Sequence, residues 1–388
     1  MKTLYKSTHG NDVCSGASPL PNVAQKGMSE NMKSGNKMRL DIALVVMLMA
    51  VGVVRAGQLE GYDFRMKLSV TNLPHVQETQ ADFPILVKLT ASNMVFAHAE
   101  TSGLDVCFTD ADGQSLLAFE RERHVTASQM AEYWVKLPSV SSAAQTDFYM
   151  YYGGPLTNGA VATNVWNSSY YMVQHLDEED ATGLFLDSTS YSRNLVNINS
   201  AIATNAGMID GGVYFDGGYL ASNNIPRPQS GYVAMWMKWN GNVGSTLAYC
   251  LLPGTAVAYK LYINAASNVV SHIHTGTSLF VLTGNTTIVP NQWYHVSDRW
   301  GRWDTHKLFV DGTLDASDLN KIYPYYAWWN GVQMFGNGFE GVLDEIRISN
   351  ARPSNLWFES QYYAQKDKLL CYGPEEDFRP QGTLLLIR

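Results

Sequence analysis

Gly341-Val342-Leu343-Asp344-Glu345-Ile346-Arg347-Ile348-Ser349 is the stretch on which the reading of this chain turns. Read as a strand, its period of two puts Val342, Asp344, Ile346 and Ile348 on one face. Leu343, Glu345, Arg347 and Ser349 fall on the other. One carboxylate, Asp344, then shares its direction with three aliphatic side chains. A buried carboxylate without compensation is costly, so the position calls for hydrogen bonds, a cationic side chain or a metal ion.

Working outward, Asp311-Gly312 lies between Leu308-Phe309-Val310 and Thr313-Leu314, a strong signal for a two-residue hairpin. Residues 232–239 alternate, with Val233, Met235, Met237 and Trp239 on one side. Residues 259–264, 269–274, 279–282, 293–298 and 307–310 read as further strands. Nearer the start, 62–70 alternates Phe64, Met66, Leu68 and Val70 against Arg65, Lys67 and Ser69. Short strands at 85–89, 104–109, 116–120, 133–137 and 148–152 follow. Turn-rich breaks such as Asp110-Ala111-Asp112-Gly113 and Tyr152-Gly153-Gly154-Pro155 separate them. This spacing indicates a β-sandwich or barrel, and the chain is read as all-β with two β-sandwich domains, 58–156 and 165–377, and a short tail at 378–388.

The chain has 388 residues, room for two or three domains, and 46% hydrophobic against 16% charged residues suits a core-forming protein. A net charge of -8, with no Lys/Arg-rich run, argues against a nucleic-acid surface. The apolar run at 42–54 is too short to span a bilayer comfortably. Lys37 and Arg39 precede it, and Ala56 supplies a small residue before Gly57, which is the pattern of a signal peptide. Residues 1–56 are therefore read as an extended leader, with Met38 as the start and cleavage after Ala56. That predicts an exported protein, periplasmic, on the cell surface or extracellular, with no membrane span in the mature chain. Cys107, Cys250 and Cys371 would remain, an odd count that implies a free thiol or an intermolecular link. Buried thiols packing as small hydrophobes are the simpler reading.

Two resemblances follow from particular motifs. Asp82-Phe83-Pro84-Ile85-Leu86-Val87-Lys88-Leu89, Leu104-Asp105-Val106-Cys107-Phe108-Thr109-Asp110, Trp134-Val135-Lys136-Leu137-Pro138 and Tyr149-Met150-Tyr151-Tyr152-Gly153 stand in order. Together they resemble an uncharacterised domain of exported bacterial proteins that precedes lectin-like modules, and that resemblance brings no known activity. Further on come Phe215-Asp216-Gly217, Trp293-Tyr294-His295-Val296, Leu308-Phe309-Val310-Asp311-Gly312 and the 341–349 strand. Their order is similar to that of concanavalin A-like domains of the laminin-G/pentraxin type. Residues 351–362 resemble the short closing helix of bacterial members, and Cys371-Tyr372-Gly373-Pro374-Glu375-Glu376 resembles their final strand. The resemblance implies a two-sheet antiparallel jelly roll. It also implies Ca²⁺, a hard cation held by oxygen ligands, for which Asp187 and Asp344 line up with Asp216 behind them.

Catalysis finds little support in the residues. Glycoside hydrolases on this fold need two carboxylates about 5–9.5 Å apart. The nearest run, Asp177-Glu178-Glu179-Asp180, has the wrong spacing and reads as a solvated loop. His272 and His274 share a strand face but fall short of the three or four ligands that zinc requires. Aromatic density is highest at 323–331 and 300–306, where Trp303, Tyr325, Tyr326, Trp328 and Trp329 are the candidate ligand-binding residues. Rings on loops stack against sugar C–H faces while neighbouring polar groups bond the hydroxyls. The alternative is that they pack on the sandwich ends or against the first domain. The expectation is an exported, non-catalytic protein that binds carbohydrate (a polysaccharide or glycoconjugate) or another cell-surface ligand. A structural or adhesive protein that binds cell-envelope proteins is the second reading, and a glycoside hydrolase a distant third.

Overall fold

The structure, a computed structural model, describes residues 58–156, 159–177, 180, 182–199, 201–204, 207–226, 228–242, 244–251, 257–274, 278–301, 304–319 and 330–379. Leu59–Arg388 clusters as one compact unit. Among the described residues it is built almost wholly from antiparallel strands, arranged as two sandwiches.

The N-terminal sandwich sets a four-stranded sheet against a three-stranded one. The first runs in the order Leu370–Asp377, Phe64–Val70, Thr146–Tyr152, Cys107–Asp110; the second runs Gln80–Thr90, Met130–Val140, Phe119–Val125. Leu68, Phe83, Ile85, Val87, Phe108, Tyr133, Phe148 and Met150 fill the space between. The alternation of Phe64, Met66, Leu68 and Val70 turns these four inward, as period two requires. The resemblance makes Leu370–Asp377 the last strand of the jelly roll. In the structure it pairs instead with Phe64–Val70, with Leu68 opposite Tyr372 and Val70 opposite Leu370. Without it Phe64–Val70 would be an edge with unpaired N–H and C=O groups. Arg65, 2.8 Å from Glu376, helps fix the register.

The helix Asn355–Gln365 brings the chain back to that sandwich. Ser354 caps it by accepting from the Trp357 N–H. Its Phe358 packs at the junction of the sandwiches, and its Ala364 packs in the N-terminal core.

The jelly roll has two eight-stranded sheets. One contains Gly231–Trp239, Trp293–Trp300, His306–Val310 and the bulged strand Glu340–Ser349; the other contains Tyr219–Pro226, Thr246–Leu251, Val257–Ile263, Asn268–His274 and Leu279–Thr287. Met235, Met237, Leu261, Ile273, Phe335 and Leu343 pack between them. The Asp311-Gly312 turn has φ of 50° and 74°, the left-handed pair that a type I′ hairpin needs.

The alternation of the 341–349 strand is corrected by a bulge. Glu345 has φ of 53°, and against Gly231–Trp239 the register steps from Arg347 opposite Ala234 to Asp344 opposite Trp236. The extra residue shifts the pleat by one. Leu343 faces the sandwich core before the bulge, and Ile346 and Ile348 face it afterwards. Asp344 therefore does not share a face with Ile346 and Ile348. It points outward with Arg347, towards the N-terminal sandwich.

That outer face is sealed. Leu86 and Trp134 from the three-stranded sheet meet Val173, Tyr232, Ala234 and Phe309 of the jelly roll and Phe358 of the helix in one apolar cluster. Cys107 and Cys250 are buried in the N-terminal and jelly-roll cores respectively.

Candidate functional site

Two groups of polar side chains stand out, one buried in the junction and one on the sheet that the junction leaves uncovered. The buried seam begins with Glu120 and Glu122 on Phe119–Val125, both turned to His175 although the register shifts between Arg121 and Arg123. His175 follows the strand Tyr170–Gln174, and Glu345 is supplied by the bulge. His175 Nδ1 donates to Glu345 Oε1 at 2.6 Å and lies 3.7 Å from Glu122 Oε2. Its Nε2 lies 3.2 Å from Glu120 Oε2. Trp134 Nε1 donates to Glu122 Oε2 at 2.5 Å, and Trp166 Nε1 to Glu120 Oε2 at 2.6 Å. Arg347 lies against both of those indoles, 4.3 and 4.7 Å from their rings, and donates to Glu345 Oε2 at 2.7 Å and to Gln361 Oε1 at 3.0 Å.

Burial and charge work against each other here. Burial pulls the His175 pKa down, but the surrounding Glu345, Glu120 and Glu122 outweigh it and hold the ring well above its ordinary value. Burial raises Glu345 and Glu120, and the neighbouring His175 reverses the sign in both, so both titrate low. Glu122 is pushed well up by burial and by the nearby acids Glu345, Glu132 and Asp344. Its Oε1 has no hydrogen-bond partner among the described residues.

Asp344 is completely buried, and its Oδ2 accepts the Met208 and Ile209 N–H groups at 2.7 and 2.9 Å. The tight turn that presents those amides requires glycine at 207, where a Cβ would sit 1.6 Å from the Gly211 carbonyl oxygen. Asp187 orders a loop: Oδ1 accepts from the Val173 and Thr189 amides, and Oδ2 from Thr189 Oγ1 and the Arg193 amide. Both aspartates are thus engaged by protein donors. Among the described residues, the group of three potential metal ligands that converges is Glu122, His175 and Glu345, with neither aspartate in it. Strand position alone does not mark these three, since they come from distant segments; two acids spaced by one on a strand were the available signal.

The open sheet carries a different arrangement. Cross-strand pairing sets Val281, His272, Lys260, Tyr249, Met334, Ala221 and Val196 in one row across seven strands. All seven lie on the face opposite Leu261, Ile273 and Phe335, and so point away from the core. Tyr249, Lys260 and His272 are partly exposed, and Val196 and Val281 are exposed. Tyr262, one pleat along from Lys260, has its hydroxyl 3.0 Å from His272 Nε2 and its ring 4.6 Å from Lys260 Nζ. Partial burial lowers the His272 pKa, the Lys260 charge lowers it further, and the ring is neutral at pH 7. His272 and His274 do share the outward face, as their spacing predicts. The aromatic candidates Trp303, Tyr325, Tyr326, Trp328 and Trp329 lie outside the described residues.

Residues 210–355 match the family model of the concanavalin A-like lectin/glucanases superfamily. Residues 102–188 match a domain of unknown function, DUF2341. Glu120, Glu122 and His175 fall in the second match and Glu345 in the first. No curated protein matches the chain. Among solved structures, domain 4 of AbnA, an extracellular arabinanase of Geobacillus stearothermophilus in complex with arabinotriose, is 14% identical with a TM-score of 0.42. That similarity covers 49% of this chain and 97% of that domain. A botulinum neurotoxin type C structure concerned with two ganglioside molecules is 11% identical with a TM-score of 0.41, covering 51% of each chain. The receptor binding domain of a C/D mosaic serotype is 15% identical at 0.42, covering 52% of each. This chain therefore spans about half the length of those toxin chains. Among the described residues, no helix is long and apolar enough to cross a membrane.

Proposed function

We propose that the protein is an exported, non-catalytic binding protein whose jelly roll recognises carbohydrate on its open sheet, with the N-terminal sandwich as scaffold. The observation that carries this reading is the asymmetry of the jelly roll. One sheet is covered by the N-terminal sandwich and the closing helix, while the other presents the row centred on Tyr249, Lys260 and His272. From Val281 to Tyr249 the row crosses four strands at about 4.8 Å spacing, roughly 14 Å of accessible side chains before the buried Met334, which suits a short run of sugar units lying across them. Tyr249 and Tyr262 supply ring faces, Lys260 an ammonium donor, and the neutral His272 a hydrogen-bonding nitrogen. None of these groups is placed as a catalytic acid–base pair, and the carboxylates of the seam are buried away from this face.

The test is a glycan array and calorimetry on the full chain, repeated with Tyr249→Ala/Tyr262→Ala. The double variant is expected to lose at least tenfold in affinity, about 1.4 kcal/mol, for whichever polysaccharide binds, with its melting temperature held. Binding that survives the double substitution unchanged, or a wild-type protein that binds no glycan, rejects the reading.

A further inference from the structure

The seam is richer in acids than its cations can balance. Glu132 is offset by Lys88 at 2.8 Å and Arg123 at 2.7 Å, and Arg123 also holds Asp210 at 2.6 Å, so that subset is neutral. What remains is Glu120, Glu122, Asp344 and Glu345, four carboxylates, against His175 and Arg347. Four acids facing two cationic groups cannot all stay charged away from water. Burial and the neighbouring acids push Glu122 and Asp344 well up, so without a further cation these two hold protons, and a divalent ion is what would displace the one on Glu122.

The donor geometry fits such an ion. Glu122, with a side chain fully buried, turns one oxygen to within 3.7 Å of His175 Nδ1 and has its other oxygen without a hydrogen-bond partner. One donor atom each from Glu122, His175 and Glu345 lie within 4.8 Å of one another. Around an ion with bonds of about 2.0–2.2 Å the ligands stand about 3.3 Å apart, so the 2.6 Å contact between His175 and Glu345 has to open by about 0.7 Å. The surroundings already have the form that holds ligands in place. The far nitrogen of His175 lies on the Glu120 carboxylate, the far oxygen of Glu345 on Arg347, and Trp134 holds Glu122. A ligating histidine whose second nitrogen is fixed by a carboxylate is the usual support of a bound metal. An imidazole among the donors favours a transition metal over calcium, which takes oxygen ligands.

We propose that Glu122, His175 and Glu345 form a divalent transition-metal site of the zinc class that clips the N-terminal sandwich to the jelly roll. Glu122 comes from the first, His175 and Glu345 from the second, so the ion would add a tie to the packing, hydrogen bonds and ion pairs that already join them. Ligand recognition on the open sheet is a separate matter, and either proposal can fail without the other.

The experiment takes the full chain, stripped with EDTA and dialysed, and follows thermal unfolding at pH 7.5 with added Zn²⁺, Mn²⁺ or Ca²⁺, alongside metal content by mass spectrometry. Wild type is expected to take up close to one equivalent of Zn²⁺ and to melt about 4 °C or more higher with it in excess. Calcium should give little shift. Glu122→Gln keeps the shape and removes a ligand, so its melting temperature should no longer respond to Zn²⁺. A wild-type melting temperature unmoved by Zn²⁺ and Mn²⁺ overturns the site. So does a Glu122→Gln variant that responds as wild type does, because the ion then binds elsewhere. An equal response to Ca²⁺ overturns the metal class. Should Glu122→Gln not fold, Co²⁺ titrated into wild type decides the matter: no visible d–d absorption of a mixed nitrogen–oxygen site rejects the proposal.

Discussion

The two sheets of the jelly roll are paired in the same way and share one core, yet their outer faces have opposite chemistry. On the sealed sheet Arg347 is 2% exposed and every donor group of its guanidinium tip that reaches a partner is directed at Glu345 or Gln361. On the open sheet Lys260 is half-buried, with its ammonium 4.6 Å from the centre of the Tyr262 ring. A sandwich sheet needs only one face for its core, so the other is free to be spent on a neighbour or on a ligand. The difference between these faces is set by what covers them. Charged groups on the covered face must be mutually satisfied, whereas those on the open face have water as an alternative partner.

The largest expected effect breaks the sealed side. Arg347→Ala leaves Glu345 Oε2 without its donor and removes a cation packed against Trp134 and Trp166. Removing one partner of a buried ion pair costs about 3–5 kcal/mol, and urea denaturation should show a loss of that size. A loss below about 1 kcal/mol would mean that the seam is hydrated and the contrast between the faces is false.

A smaller effect sharpens the comparison through pH. Asp367, just past the closing helix, accepts from the Tyr372 hydroxyl at 2.8 Å, and burial pushes its pKa up to about 6. Its folded pKa lies above the unfolded value, so its contribution to stability is complete below about pH 4 and is lost as pH rises through about 6. Allowing for residual contact with solvent, about 2 kcal/mol should disappear between pH 4 and 7.5. Asp367→Asn keeps an acceptor for Tyr372 and removes that dependence. Its urea midpoint should match wild type at pH 4 and exceed it at pH 7.5; parallel pH profiles would show that Asp367 is not the group responsible.

The same contrast explains which parts of the molecule can be read from the chain. Local features are plain: the Asp311-Gly312 hairpin, the inward set Phe64, Met66, Leu68 and Val70, and the jelly-roll motifs each lie within a few residues. Asp344 is recognisable as an acid in need of partners, and backbone amides from 208 and 209 supply them. Its direction is not recognisable, because the bulge rests on a glutamate at positive φ, a conformation with no side-chain signature at Glu345. Nor is the pairing of Leu370–Asp377 with Phe64–Val70, a contact between opposite ends of the described chain. The seam shares that difficulty. Glu120, Glu122, His175 and Glu345 carry chemistry only after three distant segments meet, and no local spacing encodes that meeting. Asp187 resembles a metal ligand in sequence, but the loop it orders uses both of its oxygens.

The smallest expected effect lies on the open sheet and tests whether its row is a connected surface. Lys260 and His272 stand opposite each other on adjacent strands, both pointing away from the core. Burial is the main reason that the His272 pKa falls, and the ammonium of Lys260 adds to it. Lys260→Met keeps most of the aliphatic stem and removes the charge. His272 should then titrate at a higher pH than in wild type while staying below an unburied histidine, since the burial remains. Stability should change by less than about 0.5 kcal/mol, as for a surface substitution without a buried partner. Histidine ring resonances followed by NMR between pH 4 and 9 read the first quantity and a urea melt the second. An unmoved His272 would mean that the two side chains diverge, and that a ligand crossing these strands meets isolated groups in place of a row. A large loss of stability would mean that the open sheet is closed over in solution, and the difference between the two faces would vanish.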